Sequence, residues 1–158
     1  MKGLQEDQQG RSNQFILGGN CIMRIEIQYI KDFLEIVLAL DQPDFHFEHG
    51  KIRPLWDNLE KRNKFVFHME ILEDQHIIKG LVPGKGIGVV RSGNAMELAD
   101  IPIRVTADGH QFYSDLSKPG VIEQMTTTFK EAGPSEVVKI VFALGKKALE
   151  KKLENLIE

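Results

Sequence analysis

Ile103-Arg104-Val105-Thr106-Ala107-Asp108-Gly109-His110-Gln111-Phe112-Tyr113 decides how this chain is read. A β-rich run ends at Val105. Thr106 then stands where a helix begins, because its hydroxyl oxygen can accept a hydrogen bond from an unpaired N–H of the first turn. Asp108 falls at the positive end of the helix dipole, where an anion is favoured. Gly109 carries no side chain, so the new helix can lie close to whatever it packs on.

Upstream, Ile27, Ile30, Leu34, Val37 and Leu38 follow the spacing of a buried helical face. Tyr29, Phe33, Ile36 and Leu40 add a second apolar stripe, and Asp41-Gln42-Pro43 ends the helix. Asp44 to Gly50 alternates like a short half-exposed strand. Ile52, Leu55, Trp56 and Leu59 mark a short helix that tolerates Pro54 in its first turn. Lys61-Arg62-Asn63-Lys64 reads as a polar turn, and Phe65, Met69, Leu72 and His76 as one face of a helix from Lys64 to Gln75. Residues 77–82 and 87–91 read as strands around a Pro83-Gly84-Lys85-Gly86 tip. Residues 96–105 bring the chain back as a third strand or extended segment.

That order of elements is the order of a winged helix-turn-helix. The expected fold class is mainly α with a small β wing. The winged helix spans residues 23–117, and a C-terminal helical extension spans 118–158. Residues 1–22 are expected to be a polar, dispensable tail, within which Phe15-Ile16-Leu17-Gly18-Gly19 is a short apolar patch ending in a flexible pair. In the extension, Lys118-Pro119-Gly120 stops one helix, and Val121, Ile122, Met125 and Phe129 outline another. Pro134 to Ile157 predicts a long final helix. Its first half, Val137 to Leu144, is apolar except for Lys139, and its charged second half carries a Leu149/Leu153/Leu156 stripe.

Three segments carry a family resemblance: Met23 to Leu34, Phe67 to Ile78, and Val105 to Tyr113. With its Thr106-x-x-Gly109-His110-x-Phe112 pattern the chain resembles a family of small bacterial and phage proteins, the domain of unknown function 2513. The similarity runs from about Met23 to the C-terminus. Phe67 stands where the family has tyrosine, Gln75 where it has glycine, and the Pro83 to Gly86 loop departs from it. The resemblance implies a winged-helix-like fold, with Thr106, Gly109, His110 and His68 as structural motif residues. The family has no assigned activity, so the resemblance implies none here.

Composition narrows the classes further. The 158 residues are 42% hydrophobic and 27% charged, as in a globular domain rather than a disordered chain. A net charge of -3 provides no global basic field. Cys21 is the single cysteine, so no internal disulfide can form, and a reducing cytoplasm is the expected location. Met1 to Gln8 is acidic and polar, unlike a signal peptide. No apolar run approaches the ~18–20 residues of a membrane span, so no membrane association is expected.

Several motifs invite chemistry. Residues 51–91 hold eight basic side chains against five acidic ones, a local excess of +3. Lys61, Arg62, Lys64, Lys79, Lys85 and Arg91 are the candidate phosphate contacts for double-stranded DNA, at the turn before the groove-facing helix and around the wing. That helix also carries Glu70, Glu73 and Asp74, which leaves few side chains to read bases. Gly80 to Gly88 imitates a phosphate loop, but the spacer before Gly84-Lys85 is one residue short and Gly86 replaces the hydroxyl residue. His46, Glu48 and His49 are too few for a tetrahedral zinc site, and no cysteine pair supports them. His68 and His110 fit a structural role, because imidazole can bridge backbone groups, even as a buried pair between two helices. Neither Cys21 nor Ser92, Ser114 or Ser117 has a neighbouring His/Asp constellation.

The expectation is a non-enzymatic protein without metal or cofactor. It is read as a winged-helix DNA-associated or regulatory protein of phage or mobile-element type. The alternative is a protein-interaction module that binds no nucleic acid. The two apolar stripes of the first long helix and the apolar Val137 to Leu144 segment predict a homodimer held by helices.

Overall fold

A computed structural model describes residues 23–157 of the protein. It is mainly α with a small antiparallel β part: α1 (Ile27–Leu38), a 3-10 turn (Arg53–Leu55), α2 (Leu59–Asp74), β1 (Ile78–Gly80), β2 (Val89–Ser92), β3 (Ala95–Leu98), β4 (Ile103–Val105), α3 (Ala107–Leu116), α4 (Val121–Thr126) and α5 (Pro134–Ile157). The expected tail, with Phe15 to Gly19 and Cys21, lies outside the described residues.

The handover at Thr106 follows from local chemistry. The Thr106 hydroxyl oxygen accepts the Gly109 N–H at 3.0 Å and caps α3. The same hydroxyl donates to the His76 carbonyl at 2.5 Å, tying the cap to the end of α2. A side chain at Gly109 would collide with the Ile77 carbonyl, so glycine is what lets α3 lie against the α2–β1 junction.

Tertiary structure moved several boundaries. α2 begins at Leu59, because Asn58 accepts the Lys61 N–H at 2.9 Å and caps the helix there. Lys61 to Lys64 therefore form its first turns, not a loop before it. His76 is not on the buried face. It adopts a φ of 59° just past α2 and is exposed. The His76 N–H bonds the Glu73 carbonyl at 3.0 Å and the Ile77 N–H bonds the Leu72 carbonyl at 2.8 Å. This pairing closes a helix with a left-handed residue after the cap, and it turns that residue out of the helical register.

The expected strand over 44–50 is reduced to one bridge. Phe45 exchanges both backbone bonds with Ile103, at 2.7 and 2.8 Å, and turns follow. Residues 52–58 hold only the 3-10 turn, and Leu59 already opens α2. Residues 96–105 are two strands rather than one. β4 pairs with β1 in the register Ile78↔Val105, Lys79↔Arg104, Gly80↔Ile103. β2 pairs with β3 as a separate hairpin. The hairpin tip is at Gly93-Asn94, and Pro83 to Gly86 belong to the loop that leads into β2. Gly80 lies against the Gly86 carbonyl with no room for a side chain, which folds that loop back onto β1.

The core is continuous from α1 to α5. Phe33, Phe45, Phe47 and Phe65 meet edge to face or tilted with centroids 5.0–6.0 Å apart. The Trp56 indole N–H donates to the Phe47 carbonyl at 2.9 Å, which satisfies the polar edge of a buried ring. Both α1 stripes turn inward: Phe33 is buried, while Tyr29 and Ile36 are half-buried. Val137 and Val141 of α5 are buried in the same core. The apolar first half of α5 thus packs within the chain, on α3 and α4, rather than waiting for a second copy.

Candidate functional site

The six candidate DNA contacts do not form one free patch. Arg62 lies 5.6 Å from the Trp56 ring centre and donates to the Met96 carbonyl at 3.1 Å, so it joins α2 to β3. Lys64 pairs with Glu26 at 2.6 Å and covers the Tyr29 ring at 4.8 Å. Arg91 of β2 holds both carboxylate oxygens of Glu70 on α2. Lys61 lies 3.7 Å from Asp57. Lys79 and Lys85 form no ion pair among the described residues.

Arg104 is a basic residue the candidate list missed. It sits directly across from Lys79 on the outer side of the β1–β4 pair. Two like charges in that position repel, and neither has an ion-pair partner among the described residues. Alternation in Ile103-Arg104-Val105 already pointed Arg104 outward; only the strand register brings it to Lys79.

The outer side of α2 is acidic. Glu60, Asn63, Phe67, Glu70 and Asp74 follow one another at three- and four-residue spacing and share one face. Glu60, Asn63 and Asp74 are exposed, Phe67 and Glu70 half-buried. Glu73 is held close to the loop before β2, and burial raises its pKa above the usual carboxylate value, with Asp74 and Glu70 adding to the rise. The opposite side of α2 is buried through Phe65, Val66, His68, Met69 and Leu72.

His68 is a backbone staple. Its Nε2 accepts the Glu26 N–H at 2.9 Å, ahead of α1, and its Nδ1 contacts the Lys64 carbonyl at 2.8 Å. That geometry fits a neutral ring with the proton on Nδ1. Burial lowers the pKa below the ordinary histidine value. With both nitrogens engaged, the ring offers no free general base. Tyr29, 4.6 Å from this imidazole, has its pKa pushed up to about 12 by burial and by Glu26. His110 is exposed and lies apart from His68 beside Val37 and Val105, so the two do not form a buried pair.

The remaining motifs are likewise spent on structure. His46 contacts Asp100 at 2.7 Å, Glu48 pairs with Arg53, and His49 accepts the Lys51 N–H at 3.1 Å. Among the described residues no three His, Cys, Asp or Glu side chains gather as a metal site. The loop from Gly80 to Gly88 leads into a strand, with no helix N-terminus to face a phosphate.

Among the described residues, two larger apolar features are open to solvent. One is a groove of about 740 Å³ between the segment before α1, α2, α4 and the start of α5. The other is the distal half of α5, where Leu149 is 48%, Leu153 47%, Leu156 74% and Ile157 84% exposed. No described helix is long and apolar enough to cross a membrane. No family model, no curated protein and no solved structure matches the chain.

Proposed function

We propose that this chain is a protein-interaction module of winged-helix form that self-associates through the distal half of α5. The fold part of the reading rests on β4, which runs between the Phe45 bridge and β1, with a hairpin inserted between β1 and β4. The 3-10 turn and α2 supply the helical pair. The resemblance of residues 105–113 to the domain of unknown function 2513 supports the same fold and adds no activity.

The observation that carries the function is the apolar stripe Leu149, Leu153, Leu156, at i, i+4, i+7, extended by Ile157. Lone exposed leucines need no explanation, but a stripe continued over two turns is the spacing of a helix-pairing seam. A second copy that brings the same stripe is the simplest symmetric cover. The acidic outer face of α2 weighs against use of that helix in a DNA groove, since phosphates would be repelled.

Light scattering at tens of micromolar tests this reading. The wild-type chain is expected as a dimer, and Leu149→Glu/Leu153→Glu as a folded monomer. A monomeric wild-type protein would end the proposal.

The unpaired Lys79 and Arg104 favour a second reading, DNA-backbone contact by the β1–β4 face. Binding to random-sequence duplex across a salt series separates the two. If DNA is bound there, Lys79→Ala/Arg104→Ala lowers the slope of log K against log salt by ~0.9 per lost contact. Absence of wild-type binding at low salt removes this reading.

A further inference from the structure

The groove beside α1 has an unusual wall: the first described residues of the chain. Met23 to Gln28 line one side, Phe67 and Ile71 of α2 form the floor, and Met125, Phe129 and Val137 close the other side. Arg24 and Glu131 pair across its edge at 3.0 Å, both well exposed. The volume, about 740 Å³, lies within the range of sites that enclose a small organic ligand. Met23 itself is 50% exposed.

Twenty-two residues precede Met23, and the apolar ones closest to it are Phe15, Ile16, Leu17, Cys21 and Ile22. Leu17 is six residues from the groove wall, a reach of up to roughly 20 Å at ~3.3 Å per residue. Gly18-Gly19 lie between them and permit the chain to reverse, since neither carries a Cβ. A segment tethered so closely faces the groove at an effective concentration of the order of millimolar. Weak intrinsic affinity then suffices, which an untethered partner would not share.

We propose that the segment Phe15-Ile16-Leu17 docks into this groove in cis, folding back over Gly18-Gly19. This inference is independent of the α5 stripe. A chain can fold without the segment and still use it to cover Ile71 and Phe129. The expectation that residues 1–22 are dispensable concerns folding alone.

Photo-crosslinking in the full chain tests the docking. With p-benzoylphenylalanine in place of Phe15, irradiation is expected to give a product of monomer mass joined to Met125, Phe129 or Ile71. Ile71→Asp, and independently Phe129→Asp, should cut that product by about tenfold, with circular dichroism showing each variant folded. As a second readout, Phe15→Ser/Leu17→Ser should raise anilinonaphthalenesulfonate fluorescence about threefold by uncovering apolar surface. Crosslinks confined to other parts of the chain would overturn the proposal. So would a product of doubled mass, which would assign the groove to a second copy. Unchanged dye fluorescence in the serine variant would also overturn it.

Discussion

The two halves of α5 carry apolar residues at the same helical spacing and meet opposite fates. In the first half Val137 and Val141 are buried, and Gly145 is pressed against Asp115 of α3 so closely that any side chain there would overlap the carboxylate. In the second half Leu149, Leu153 and Leu156 are about half exposed or more, and residues 150–157 are exposed throughout. Spacing defines a face in both halves; only the first has α3 and α4 to cover it. Apolar residues at one helical spacing are therefore core at one end of α5 and open to solvent at the other.

The sharpest way to break this contrast is a charge in the first half. Val141→Glu buries a carboxylate with no partner and should abolish the cooperative unfolding transition, a loss of about 4 kcal/mol or more. A melt close to wild type would mean that Val141 is an intermolecular contact. Next in size is Gly145→Ala. Helix propensity alone would stabilise by ~1 kcal/mol, but overlap with Asp115 should reverse the sign and cost about 2 kcal/mol in denaturant titration. Asp115 cannot simply move aside, because Lys118 at 2.5 Å and Gln111 at 3.1 Å hold it.

Acidification should separate body from arm. The His68 pKa is depressed in the folded chain, so the unfolded state binds the proton more readily. Its contribution is complete above the ordinary value near 6.5. Stability should fall as pH drops below that value and level off below the folded pKa. Light scattering over the same range should show the proposed association through α5 unchanged, since His68 staples α2 to the segment before α1 and is no part of the Leu149/Leu153/Leu156 stripe. A stability curve flat between pH 7 and 5, or one unaltered by His68→Gln, would remove His68 from this role.

The smallest stability effect is expected in the second half of α5. Leu153→Glu should leave the folding free energy of the isolated chain within about 0.5 kcal/mol of wild type. It should nonetheless shift the oligomeric state. Loss of folding on this substitution would show that Leu153 is packed within the chain.

Local chemistry by itself determined much of the molecule. The α1 face, the Thr106 cap with Gly109 behind it, α3, and the extent of α5 from Pro134 to Ile157 all follow from periodicity and capping within a few residues. Such signals act over one helical turn, so the order of residues carries them in full. What tertiary structure decided was pairing and partners. Asn58 rather than Lys64 opens α2, residues 96–105 divide between two strand partners, and His76 leaves the helix through a left-handed turn. The basic residues show the same division. Their charges are plain in the sequence, but whether Arg62, Lys64 and Arg91 are free depends on Trp56, Met96, Glu26 and Glu70. Those partners lie up to thirty-eight positions away along the chain. Ion pairs and packing form between groups that the fold brings within a few ångströms, and distance in space is not written in residue order.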